Sequence, residues 1–197
     1  VAGRASSSPL PDAIPGITFE RLNIPFRKGP AMYLMFNIRL FFRLLSGRFD
    51  ILVASDLDTL APCYVVSRLT GKKLIYDSHE YFTGQFGLRE RRFKHFIWKS
   101  AERIMVPGIR YITTVSESIA ALYREEYGVE PVVIRNVAPK VKHLVPRERS
   151  ELGAGRDELL VVLQWSGING GRGAEELISA VPMTRGVKLV IIGSGDI

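Results

Sequence analysis

Short apolar runs and amphipathic stretches take turns along almost the whole chain. Runs rich in aliphatic and β-branched residues stand at 17–24, 51–54, 73–76, 111–115, 132–134, 159–165 and 187–192. Between them, apolar positions recur every three or four residues, which predicts helices over 31–45, 59–69, 89–105, 117–127 and 174–181. Such alternation predicts right-handed β-α-β units, a mainly parallel sheet and helices on both of its faces. Asp58 and Ser116 stand where helices should begin, each with an oxygen to offer free backbone N–H groups. Gly71 and Gly128 stand where helices should end.

The 197 residues exceed one average domain and fall short of two, taking roughly 150 residues per domain. The stretch NVAPKVKHLVPRERS, residues 136–150, carries prolines and basic residues without a period, and it divides the chain. The expected layout is a first domain over 1–138, a linker over 139–150 and the opening of a second domain over 151–197. Val1 in place of an initiator Met, and an end directly after an apolar strand, lead us to expect an internal piece of a longer protein.

Composition narrows the partners. No apolar run approaches the roughly 20 residues that span a bilayer, and the single Cys63 excludes an internal disulfide. A reducing, cytoplasmic setting is the expectation. The net charge of +7 favours anionic partners. Nucleic acid is not expected among them, because the basic residues are spread over helices that should face a sheet and no binding motif is present.

Four stretches carry chemistry. In KKLIYDSHEYF, residues 72–82, an apolar strand runs into Asp77, Ser78, His79 and Glu80. Ligand crevices of open α/β sheets lie beyond the carboxyl ends of such strands. A histidine between two carboxylates there can hold a hydroxyl or protonate a leaving group. In WSGINGGRGAEELISA, residues 165–180, Gly167, Gly170, Gly171 and Gly173 surround Arg172 just before a helix. Glycine amides, a helix N-terminus and a guanidinium together suit a phosphate. The spacing fits neither G-x-G-x-x-G nor a P-loop. Asp56-Leu57-Asp58 looks like a metal-binding D-x-D, but Asp58 reads better as a helix cap, and Asp56 is left to face the crevice. Finally, residues 26–49 hold five basic side chains and no acid, and REERRFKHFIWKSAERI sets Phe93, Phe96 and Trp98 among cations. Both stretches read equally as crossover helices or as a surface that rests on anionic lipid.

Taken in order, FDILVASDLDTLAPCYVVSRLTGKKLIYDSHEYF, YITTVSESIAALY, VVIRNV and GINGGRGAEELISAVP with VKLVIIGSGD resemble a family 4 (group 1) glycosyltransferase of the GT-B fold. The resemblance implies two Rossmann-like domains, the first holding the acceptor and the second a nucleotide-sugar donor. It implies donor-binding roles for Gly167, Arg172, Gly173, Asn136, Gly193 and Gly195. It places Asp77, His79 and Glu80 on a cleft-lining, catalytic loop, and Asp56 on the acceptor side.

The sequence also departs from the family pattern. Val53-Ala54-Ser55-Asp56 replaces an H-x-H-D stretch, Gly167-Ile168 replaces Gly-Arg, and the first strand and helix are largely missing apart from residues 1–3. The implied reaction is metal-independent, retaining sugar transfer from a nucleoside diphosphate sugar to a hydroxyl, in surface polysaccharide or glycolipid synthesis. That acceptor could be lipid-linked, on the inner face of a membrane. No cofactor is implied, since the donor is a substrate, and the 197 residues alone are expected to be inactive. The rivals are an NAD-dependent oxidoreductase, for which Asp196 could bind ribose, and a non-catalytic module for anionic lipid.

Overall fold

The computed structural model describes residues 2–4, 15–26, 29–140, 145–146, 148–168, 170 and 173–195. The chain falls into two compact units, Val1–Val137 and Ala138–Ile197.

In the first unit, β3 (Ile51–Ser55), β4 (Lys73–Ser78), β5 (Tyr111–Thr114) and β6 (Val132–Val133) form a parallel sheet in that order. Connecting them are α2 (Leu57–Thr70), the short α3 (Phe86–Arg89) with α4 (Arg92–Met105), and α5 (Glu117–Tyr127). Before them come β1 (Ala2–Arg4), β2 (Glu20–Leu22) and α1 (Pro30–Ser46). The β1 and β2 strands pair in parallel as a separate ribbon. A groove of about 470 Å³ lies between β2 and β3, and the Glu20–Arg43 ion pair stands on its wall. Leu52 and Ala54 of β3 and Leu74 and Tyr76 of β4 are buried with Leu57, Leu60 and Val66 of α2. This is the core that burial of apolar surface predicts for β-α-β units.

Capping decides the element ends. The Ser116 hydroxyl accepts from the Ile119 amide at 3.3 Å, and Gly71 and Gly128 close α2 and α5 in the left-handed conformation, φ 69° and 64°. Asp58 does not cap α2. The helix begins at Leu57 with Asp56 as its flanking residue, and Asp58 lies in the first turn, where the helix dipole favours a carboxylate. Pro62 sits inside α2 and has no N–H for the Asp58 carbonyl four residues earlier. Asn37 Nδ2 of α1 donates to that carbonyl instead, at 3.1 Å, which ties α1 to α2.

Two predicted elements differ. The helix expected over 89–105 is broken into α3 and α4 at Glu90 and Arg91, where the like charges of Arg89, Arg91 and Arg92 crowd one turn. The strand expected over 17–24 contracts to Glu20–Leu22.

The second unit is one β-α-β element. β7 (Leu159–Ile168) and β8 (Val187–Gly195) pair in parallel from Leu159↔Val187 to Trp165↔Gly193, then, after a register shift, at Ile168↔Gly195, and α6 (Ala174–Ala180) connects them. Both strands run longer than their apolar stretches: Gly193 and Gly195 carry β8 past Ile192, and β7 continues through Gly167 to Ile168. A Cβ at Gly193 would lie 2.0 Å from the Trp165 carbonyl oxygen, so only glycine permits this approach.

Candidate active site

The register of the sheet sets Ser55, Asp77 and Thr113 side by side at the carboxyl ends of β3, β4 and β5. The Thr113 hydroxyl donates to Asp77 Oδ1 at 2.6 Å, and His79 Nε2 lies 2.9 Å from Asp77 Oδ2. A carboxylate can only accept, so Nε2 carries the proton, and a neutral ring is left with Nδ1 as its acceptor. Asp56 Oδ1 accepts from the His79 amide at 2.9 Å, and the Asp56 amide donates to the Asp77 carbonyl at 2.9 Å. Asp56 has φ 60° and ψ 170°, a conformation that is essentially glycine's own, and among the described residues it is the one non-glycine at positive φ. Three predicted residues, Asp56 and Asp77, both half-buried, and the exposed His79, thus meet in one cluster.

Glu80 takes a different part from the one expected. Its carboxylate accepts from Gln85 Nε2 rather than from the histidine, whose ring bonds to Asp77. The reason is the turn: Ser78 Oγ donates to the Glu80 carbonyl at 2.9 Å and sends the Glu80 side chain toward Gln85. Burial and the nearby Asp56 charge push the Asp58 carboxyl up from its ordinary range. No group of three or more metal-ligating side chains is assembled among the described residues.

Sequence reasoning missed what lies beneath this loop. Glu102, fully buried, accepts from Thr83 Oγ1 (2.7 Å), Lys99 Nζ (3.1 Å), Tyr123 OH (3.2 Å) and Tyr127 OH (2.6 Å). Lys99 also donates to Glu126 at 2.6 Å and to Tyr81 OH at 3.1 Å, and Tyr81 OH donates to Glu126 at 2.7 Å. Ser78 Oγ joins through Tyr123 OH at 3.1 Å. Burial alone would lower the Lys99 ammonium; hydrogen bonds to Glu126 and Tyr81 and the Glu102 charge overcome it and raise it. Burial would raise Glu126, yet its bonds to Lys99 and Tyr81 hold it below the ordinary carboxylate range. Desolvation pushes the phenols of Tyr76, Tyr123 and Tyr127 upward. The available signal was Lys99 and Glu102 three apart on a predicted helix, which reads equally as a solvated pair.

In the second unit, Gly167, Gly193 and Gly195 lie together at the carboxyl ends of β7 and β8 rather than in a free loop. Gly173, φ 87°, flanks the start of α6. Arg172 and Asp196 lie outside the described residues. Asn136 is exposed just past β6, one residue before the end of the first unit.

The helical layer exposes large apolar side chains. On α1, Leu34, Ile38 and Phe42 form a stripe at helical spacing, and on α4 Phe93 and Phe96 are 76% and 68% exposed. The edge-to-face contact of Tyr33 with Trp98, ring centroids 5.7 Å apart, links the two helices. No helix among the described residues is long and apolar enough to cross a membrane.

A four-stranded parallel sheet flanked by helices, with its polar cluster beyond the strands' carboxyl ends, makes the first unit a Rossmann-like α/β domain of the kind that GT-B enzymes contain. The family model described as Glycosyltransferase Family 4 matches residues 1–138. The chain belongs to Glycosyltransferase Family 4, and its activity class is glycosyl transfer. No curated protein matches it.

Proposed function

We propose that the protein transfers a sugar from a nucleoside diphosphate sugar to a hydroxyl acceptor, with retention and without a metal or a cofactor. The observation that carries this reading is the His79 imidazole, oriented by Asp77 at the carboxyl end of the sheet in a chain of this family. Asp77 keeps Nε2 protonated, so Nδ1 is the atom that accepts from a sugar hydroxyl, and a protonated ring would donate instead. Glu80 and Asp56 complete the acceptor-side surface. Charge developing on the departing diphosphate falls to Arg172 and to the backbone around Gly167, Gly173, Gly193 and Gly195, since preorganised dipoles stabilise such charge; Asn136 is a further donor-binding residue in this reading. Surface polysaccharide or glycolipid synthesis is the setting we favour. The exposed Leu34, Phe42, Phe93 and Phe96 beside Arg39, Arg92 and Lys94 would let the first unit rest on an anionic bilayer of the inner leaflet, where a lipid-linked acceptor lies.

Calorimetric titration of the full-length enzyme with UDP, GDP, NAD and phosphatidylglycerol vesicles separates this reading from its rivals. One nucleoside diphosphate should bind and NAD should not; tight NAD binding with no response to either diphosphate overturns the transferase reading. Arg172→Ala should weaken diphosphate binding by about 1.5–3 kcal/mol, the worth of a charge-assisted hydrogen bond. His79→Ala should slow transfer by roughly 10²–10⁴-fold.

A further inference from the structure

We propose that the buried Thr83–Glu102–Lys99 cluster is a positioning clamp, which fixes the loop after β4 so that His79 and Glu80 stand outward beside Asp77. The proposal rests on the reading of His79 and Glu80 as site residues and adds the device that holds them.

The loop alternates between anchors and free faces. Ser78 and Thr83 are buried and Tyr81 is half-buried, whereas His79 and Glu80 are exposed. Each anchor ends on the same cluster: Ser78 on Tyr123, Tyr81 on Glu126 and Lys99, Thr83 on Glu102 and Lys99. The outward side chains turn away from the cluster, His79 held by Asp56 and Asp77 and the Glu80 carboxylate by Gln85, while the Ser78 anchor holds the Glu80 carbonyl. A buried carboxylate and ammonium carry a large desolvation cost, and fold stability would be served as well or better by packed apolar residues of similar volume. What ions supply and apolar groups do not is direction: the Glu102 carboxylate takes four donors from three different segments, three on Oε2 and one on Oε1, and each bond fixes a distance. The loop holds little regular structure, a single 3-10 turn over Phe82–Gly84 and the four residues of α3, so side-chain bonds must set its path. Thr83 is the link of the clamp that touches neither His79 nor Glu80, and it can be cut without emptying volume.

The test is Thr83→Val, which removes the hydroxyl and keeps the shape, beside Thr83→Ser, which keeps the hydroxyl, both in the full-length enzyme. Hydrogen exchange followed by mass spectrometry should show residues 79–85 exchanging at least tenfold faster in the Val variant, with α2 and β3 unchanged, and the Ser variant restored to within twofold. The His79 Cε1–H NMR signal, assigned by its absence in His79→Ala, should move or split in the Val variant and return in the Ser variant. A merely structural role would speed exchange across the whole unit together and would leave the His79 signal in place in the folded fraction. Either that pattern or unchanged exchange at 79–85 overturns the clamp. Failure of His79→Ala to slow transfer would instead overturn the site reading, so the two can fall separately.

Discussion

At the carboxyl end of β4 the chain leaves the sheet through side chains that bind one another: Asp77 to His79 and Thr113, Ser78 to Tyr123, Thr83 to Glu102. At the carboxyl ends of β7 and β8 it leaves through glycines, and the shape there depends on what the residues lack, since a Cβ at Gly193 would strike the Trp165 carbonyl. The first region is written in charge and hydrogen bonds over long sequence separations. The second is written in excluded volume over a single strand pair. One should therefore respond to ionisation and the other to added atoms, and the variants below set that contrast at risk.

The largest effect belongs to the polar region. Lys99→Met strands Glu102 and the nearby Glu126 without their shared cation. Breaking a buried pair costs about 3–5 kcal/mol, read as a lower urea midpoint. Adding Glu102→Gln should recover much of that loss, and a recovery of nothing would show that packing, not charge, governs this region. Next comes the glycine region: Gly193→Ala must move β7 or β8, and overpacking costs about 1–3 kcal/mol. A neutral Gly193→Ala would erase the contrast. A smaller effect sharpens it through pH. Glu126 is held below its ordinary 4.5, so its contribution is present above that value and fades as pH falls through the lower folded value. Lys99 is raised above its ordinary 10.5, so its share is complete below that value and fades only as pH climbs through the higher folded one. Urea titrations from pH 3 to 6 should show the acid-side loss in the native protein and not in Glu126→Gln, with Gly193→Ala tracking the native slope.

How far all this could be read in advance follows from range. Apolar alternation and local caps act within a few residues, and α5 begins after Ser116 and stops before Gly128 where expected. Asp77 and His79 are two residues apart, so their meeting was also legible. Thr113 is 36 positions from Asp77 and Asp56 is 23 from His79, and those bonds exist only because parallel register aligns the strand ends. Asp58 was misread as a cap because two acids stood in line for one helix start, and nothing local says that Asp56 will accept a glycine-like backbone. Glu102 hid for the reverse reason: a helix rich in arginine and lysine reads as solvated, while its partners Tyr123 and Tyr127 come from another helix.

The smallest predicted effect is the most discriminating for the site. Asp56 holds a strained backbone and one hydrogen bond to the His79 amide. Asparagine tolerates unusual φ better than most residues and keeps an oxygen at Oδ1. Asp56→Asn should therefore cost less stability than Asp56→Ala does. Asp56→Ala loses both properties: a net hydrogen bond worth about 0.5–1.5 kcal/mol and the short polar side chain that lets the strained backbone be tolerated. If the residue serves only to shape the turn, Asn should transfer sugar as fast as the native enzyme and Ala should not. A slow but stable Asn variant would show instead that the negative charge of Asp56 acts on the substrate, and it would move that carboxylate from the scaffold into the chemistry.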